Sequence, residues 1–415
     1  MIRVEGSYLY IGGFKAEDLV LKFGTPLYVY DKEVIIENYV RLRNSLKYGD
    51  VEVLYSCKAN SNVEVLKVFK ELGAGLDAVS VWEALLGVKV GFPPDKILFT
   101  GNNVTEEELK LALDLGVIVN VDSIQQLVRY GRLNPEGEVS IRVNPGVGVG
   151  HHQKAVTGGV TKFGIYLNQV NEALRVAREY RLKIVGLHAH IGSGILDVEP
   201  ILNVAKTLTK LALSLNLPDL KFVDVGGGLG IPYRPGDKPL DVEGLGVGLT
   251  DLFNEFSHAY GRRVKLFVEP GRYLVGNAGV LLTKVVDVKV FEDGSLKKVF
   301  VGTDTGMNHL IRPALYDSYH EVIPASKANV ERKLLADVVG NICESGDVIA
   351  RDRLLPELRE GDILAIMDVG AYGYSMSSNY NLRPRPAEVM VYRDEVKLIR
   401  RRETFEDLIR HMILD

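Results

Sequence analysis

Between residues 51 and 269 the chain alternates, eight times over, a short β-branched run with a helix-patterned segment. The runs fall at 51–56, 75–79, 96–100, 117–121, 138–143, 183–190, 221–225 and 265–269. Parallel strands need long crossover connections, usually helical, so this alternation describes a parallel sheet wrapped by helices. The helices have readable ends. Thr105 and Glu108 form a capping box ahead of LKLALDLG, where Gly116 suits a left-handed C-terminal position, and the helix over 62–72 is closed by Gly73. Eight units over about 250 residues predict an α/β fold of the (β/α)8 TIM-barrel type, with an open doubly wound sheet as the alternative.

After Gly279 the texture changes. VLLTKVVDVKVFEDGSLKKVFVGTD alternates apolar and polar residues, and Asp293 with Gly294 marks a hairpin turn. This predicts a second, mostly antiparallel β-barrel domain. YLYIGG and TPLYVYDK near the start also have strand character. The expected division is therefore a barrel over 31–275 and a β domain over 1–30 plus 276–415. ETFEDLIRHMILD, at the end, has the pattern of a short amphipathic helix.

Composition excludes several classes. With 415 residues, 46% of them hydrophobic, the chain is long enough for two cores, and its formal charge of -4 comes from interspersed rather than blocked charges. That argues against a nucleic-acid or membrane-surface partner. No apolar run reaches the ~18 residues of a membrane span. MIRVEGSYLYIGG lacks the cationic and apolar regions of a secretory signal. Two cysteines, Cys57 and Cys343, make no disulfide framework, and a cytoplasmic location is expected.

Catalytic groups of such barrels sit at the C-terminal ends of the strands. Lys58 follows the first strand in YSCKAN, His190 closes the sixth in HAHIGSG, Gly226, Gly227 and Gly228 follow the seventh in DVGGGLG, and Glu269 to Arg272 follow the eighth in EPGR. A lysine at the mouth of a buried strand can attack a carbonyl and form an imine, although a solvated cap is the ordinary alternative. Successive glycines let backbone N–H groups approach an anion, and the seventh and eighth loops are where barrels commonly hold phosphate. Ser193 and Gly194 add a hydroxyl and an amide there, or Ser193 is a plain helix cap. His190 offers a ring to stack on a flat heteroaromatic group, and Glu269 a carboxylate to keep a pyridine nitrogen protonated, unless it is simply paired with Arg272. His188 is expected one layer deeper, in the core. No metal is expected, since no carboxylate or cysteine completes a ligand set with the two histidines.

In order along the chain, TPLYVYD, YSCKAN, TKFGI, HIGSG, DVGGGLG, EPGR, CESGD and GAYGYSMSSNYN resemble the fold-type III pyridoxal phosphate-dependent decarboxylases over nearly the whole length. The resemblance implies pyridoxal 5'-phosphate as cofactor, carried by Lys58. His190 stacks on its ring, Glu269 contacts its nitrogen, and Gly226, Gly227 and Gly228 with Ser193, Pro270, Gly271, Arg272 and Tyr372 surround it. It further implies Cys343 as a proton donor beside Lys58, a small amino-acid substrate, and a homodimer with shared active sites. CESGD is the form associated with diaminopimelate, with Glu344 for the distal ammonium and Arg272, Arg312, Tyr316 and Tyr372 at the substrate. The implied reaction is decarboxylation of meso-2,6-diaminopimelate to L-lysine and CO2, with ornithine, arginine or carboxynorspermidine as alternative substrates. The sequence departs from the family at Gly194, where glutamine is frequent. The stretch 151–164 resembles its loop over the active site.

Overall fold

A computed structural model describes residues 2–414. Two compact units divide the chain: residues 38–232 with 238–273 form one, and residues 1–37, 233–237 and 274–415 form the other.

The first unit is a closed barrel. Its strands are β1 (Val51–Ser56), β2 (Gly75–Ala78), β3 (Ile97–Phe99), β4 (Ile118–Val121), β5 (Glu138–Asn144), β6 (Lys183–His188), β7 (Phe222–Gly227) and β8 (Lys265–Glu269). Each pairs in parallel with the next, β8 pairs with β1, and so the ring leaves no edge among the eight. All eight expected strands are present. β6 is shorter than the sequence indicates, ending at His188, so His190 lies two residues beyond the ladder. The expected capping box of Thr105 and Glu108 forms, and Gly116 adopts φ 70° at the other end of that helix. At the N-terminal end of the ring, Leu54, Leu98, Val185, Phe222 and Phe267 fill the interior, the two phenylalanine rings stacked with centroids 4.3 Å apart.

The second unit is built on a mixed sheet. Its strands run in the order Val348–Leu355, Leu334–Val339, Leu296–Thr303, Gly279–Asp293, Leu27–Asp31, Ala387–Tyr392 and Glu395–Arg400. Most pairings are antiparallel, but Leu296–Thr303 with Leu334–Val339, and Leu27–Asp31 with Ala387–Tyr392, are parallel. The expected hairpin turn follows Asp293, with Gly294 at φ 57°. Alternation along the central strand Leu27–Asp31 feeds two cores: Tyr28 and Tyr30 pack with Leu281, Val301 and Ile366, while Leu27 and Val29 pack with Leu282, Ala365 and Val389. Among the described residues no helix is long and apolar enough to cross a membrane.

Replacing Phe267 by Ala removes a stacked ring from the barrel interior, and should cost about 3–5 kcal/mol in urea denaturation. Phe291 on the hairpin is 50% exposed; Phe291→Ser should change stability by less than ~0.5 kcal/mol. Equal effects would contradict the assignment of the core.

Candidate active site

Strand ends bring the barrel's polar residues together. β1 stops at Ser56, and a single 3-10 turn, Cys57–Ala59, carries Lys58 past the ladder. The β1–β2 register sets Ser56 beside Asp77. Ser56 Oγ lies 2.8 Å from Asp77 Oδ2 and 3.0 Å from the Glu269 carbonyl, and Lys58 Nζ donates to Asp77 Oδ2 at 2.7 Å. Asp77 is only 1% exposed. Burial and then the Glu269 charge push its carboxyl above the usual range, against the pull of Lys58.

On the far side of the ring, Glu269 is buried at the end of β8. Burial works against its charge, but His188 and then Lys58 outweigh that and hold it ionised, well below the usual carboxylate range. His188 Nε2 donates to Oε2 at 3.2 Å, while Oε1 is buried and has no partner among the described residues. The expected alternative pairing with Arg272 does not form. Arg272 Nη2 instead donates to Ser193 Oγ at 3.0 Å. The β6–β7 register also sets Asp224 beside His188, and the ligand atoms of His188, Asp224 and Glu269 all lie within 4.8 Å of one another. Carboxylates therefore do gather round a histidine, contrary to the expectation from sequence. Burial, then Glu269, raises the Asp224 carboxyl well above its ordinary value.

The glycine loop is fixed by close approach. A Cβ on Gly227 would stand 1.8 Å from the Glu269 carbonyl oxygen, and Gly226 and Gly228 have φ of 71° and 86°. The Gly227 N–H donates to His190 Nδ1 at 3.1 Å. That ring nitrogen is thus unprotonated, and burial followed by the nearby Lys58 charge depresses the His190 pKa well below its ordinary value. Gly271 packs against Ser56 and Ala59, and the Pro270 carbonyl accepts from the Ser56 N–H, tying EPGR to the base of the lysine turn.

A cavity of about 240 Å³ is lined by Lys58, Asp77, Arg142, His190 and Glu269, with Thr157 and Phe163 from the loop 151–164. An amine, an imidazole and a buried carboxylate lining one space suit a planar pyridine ring bearing an aldehyde and an N–H, so the residues fit pyridoxal phosphate. Sequence reasoning missed Asp77, Arg142 and Asp224. The signal for Asp77 was slight, an acidic residue near the C-terminal end of an otherwise apolar four-residue strand. Arg142 pairs with buried Asp122 at 3.2 Å and stands over the Phe163 ring.

The other candidates belong to the β unit. Arg312 opens the helix Arg312–Tyr316 and is buried, Tyr316 is half-buried, and Tyr372 has φ 58°. Cys343 is exposed within its unit. Its N–H donates to Asn381 Oδ1 at 2.7 Å, Glu344 beside it is exposed, and buried Asp347 shapes the CESGD loop by accepting the Met307 and Ile342 N–H groups.

Residues 32–276 match the family described as "Pyridoxal-dependent decarboxylase, pyridoxal binding domain". The diaminopimelate decarboxylase of Methanothermobacter thermautotrophicus is 48% identical over 97% of this chain and 95% of its own. That of Escherichia coli K12 is 38% identical over 94% of each. A solved diaminopimelate decarboxylase from M. jannaschii, in complex with L-lysine, superposes with a TM-score of 0.91 at 35% identity, covering 100% of this chain and 98% of that one.

Glu83 borders the lysine turn and accepts the Val79 N–H at 2.8 Å. Burial pushes its carboxyl from an ordinary value of 4.5 up to about 7. A raised carboxyl pKa penalises folding increasingly as pH climbs from the unfolded to the folded value. Glu83→Gln, which keeps an acceptor for Val79, should match the native chain in urea denaturation at pH 4. At pH 8 it should exceed it by up to roughly 2 kcal/mol. No gain at pH 8 would contradict the assignment.

Proposed function

The chain belongs to the pyridoxal-dependent decarboxylases, and within them to the diaminopimelate decarboxylases, and from that premise we propose how its own residues perform the reaction. The substrate is meso-2,6-diaminopimelate and the products are L-lysine and CO2. A lysine complex of a relative 35% identical supports that product. The observation that carries the reading is the cavity lined together by Lys58, His190 and Glu269.

Pyridoxal phosphate, when bound, supplies an aldehyde for an amine and an electron-poor ring able to take up the pair released as the α C–C bond breaks. Lys58 is the amine that binds it. Asp77, 2.7 Å away, takes a proton from or returns one to Nζ as the lysine alternates between bound and free. Glu269 would hold the ring nitrogen of the cofactor and supply the charge that keeps it protonated, with His188 holding its Oε2. His190 is kept neutral by the Gly227 N–H on Nδ1, so it stacks without adding a charge that would oppose a protonated ring. The amides of Gly226, Gly227 and Gly228, with Ser193 and Arg272, hold the phosphate, Pro270 and Gly271 shape that turn, and Tyr372 adds a hydroxyl.

The distal end of the substrate carries an ammonium and a carboxylate. Glu344 meets the first, and Arg312 with Tyr316 the second, since a guanidinium fork matches a carboxylate. Cys343 holds a proton at Sγ for delivery to the α carbon once CO2 has left. We also assign this chain a homodimer with shared active sites and, from its two free cysteines, a cytoplasmic location.

Assayed side by side with pyridoxal phosphate, meso-diaminopimelate should exceed ornithine, arginine and carboxynorspermidine by at least ~100-fold in kcat/KM, because each rival leaves a polar group of the site unmatched. Glu344→Ala should raise KM for diaminopimelate by ~tenfold or more. Comparable turnover of ornithine would overturn the substrate assignment. For the shared sites, Lys58→Ala and Cys343→Ala chains, each inactive alone, should regain activity when mixed; no recovery would argue against sharing.

A further inference from the structure

The β unit contains a buried guanidinium aimed by a histidine. Arg312 is 1% exposed. Its Nη1 lies 3.1 Å from His320 Nε2, its Nη2 donates to Ser318 Oγ at 3.3 Å, and its Cζ stands 4.7 Å from the centre of the Tyr233 ring. His320 is fully buried, with Nδ1 2.8 Å from the Met367 carbonyl oxygen and its ring edge-on to Tyr233. A carbonyl only accepts, so Nδ1 carries the hydrogen. A guanidinium only donates, so Nε2 offers its lone pair. Both contacts are satisfied together by one neutral tautomer alone.

The local sequence builds this arrangement. The helix Arg312–Tyr316 ends at Asp317 in the left-handed conformation, φ 50°, and the reversal brings Ser318 and His320 back onto the side chain from which the helix began. The His320 carbonyl accepts from Arg353 Nη2 at 3.2 Å, fixing the backbone from the strand Val348–Leu355.

We propose that His320 is a positioning residue for substrate specificity: through its Nε2 lone pair it fixes the Arg312 guanidinium in the orientation that receives the distal carboxylate of diaminopimelate. This rests on the assignment of Arg312 to that carboxylate. An arginine side chain has many rotamers, and one already ordered loses little freedom when the substrate arrives. The histidine does this without adding a charge of its own to the guanidinium, whose charge already acts on the Asp368 carboxyl. A lysine or arginine in its place would repel Arg312, and an aspartate would compete with the substrate for it.

The test is a pair of amide variants of the holoenzyme. His320→Asn keeps a donor for the Met367 carbonyl but has nothing at the Nε2 position. It should raise KM for diaminopimelate by ~tenfold, the loss of one hydrogen bond to a charged group, with kcat within ~twofold and the visible absorbance and melting temperature unchanged. His320→Gln extends a carbonyl to the Nε2 position and should bring KM to within ~threefold of the native value. Native KM in His320→Asn, or equal impairment of both variants together with a lowered melting temperature, would overturn the proposal. Should His320→Asn fail to fold, His320→Met, which fills the space without a strong acceptor, must raise KM where His320→Gln does not. Arg312→Ala separates the two layers. If it leaves KM unchanged, the assignment of Arg312 itself fails. If it raises KM while His320→Asn does not, only the positioning role fails.

Discussion

A half-exposed ammonium held against a buried carboxylate is the contact around which the barrel mouth is arranged. Asp77 is almost wholly buried, and without the Lys58 amine 2.7 Å away its ionised form would face a desolvation penalty of several kcal/mol. The pair exists because β1 and β2 align Ser56 with Asp77 and because one tight turn after Ser56 swings Lys58 back over the strand ends. Deleting Lys58 leaves the Asp77 carboxylate buried without its counter-charge, whereas deleting Asp77 leaves an ammonium that water can still reach. The same pairing keeps the amine within reach of a proton acceptor, so the group that stabilises the resting site also serves the chemistry.

Register does comparable work across the barrel. His188 is paired with Asp224, and Gly227 with Glu269, so two neighbouring strand pairings gather a histidine and two carboxyl groups in a buried space. Gly227 is required there for a steric reason, since any Cβ would strike the Glu269 carbonyl. Its N–H in turn sets the protonation of His190. Strand register thus places the side chains that set one another's charge state, the kind of preorganisation that electrostatic catalysis needs.

Much of this was legible in the chain. Eight strands showed themselves through β-branched runs of the right length; their alternation with capped helices described a parallel sheet, and their number favoured a closed barrel over an open doubly wound sheet. What local pattern could not give was partner choice. Pairing with Arg272, three residues away, was the local alternative for Glu269, but the carboxylate bonds His188, 81 residues away and two strands round the ring. Pairing in β6 stops at His188 rather than at His190, a boundary set by where β7 offers partners and invisible in hydropathy. Asp77 escaped notice because its importance lies in what stands opposite it. The parallel pairing of Leu27–Asp31 with Ala387–Tyr392 joins segments more than 350 residues apart, beyond any local signal. The exposure of Cys343 follows from the CESGD loop being folded around Asp347, a tertiary fact with no sequence marker of its own.

The claim underneath the account is that the Nζ of Lys58 is the nitrogen to which pyridoxal phosphate becomes attached. Reducing the holoenzyme with borohydride, digesting it and sequencing the modified peptide by mass spectrometry tests this directly. The account predicts a phosphopyridoxyl group on Lys58, in the peptide containing YSCKAN, with stoichiometric loss of the visible absorbance. A label on a different lysine, such as Lys154 or Lys162 of the neighbouring loop, or no stable label at all, would contradict it.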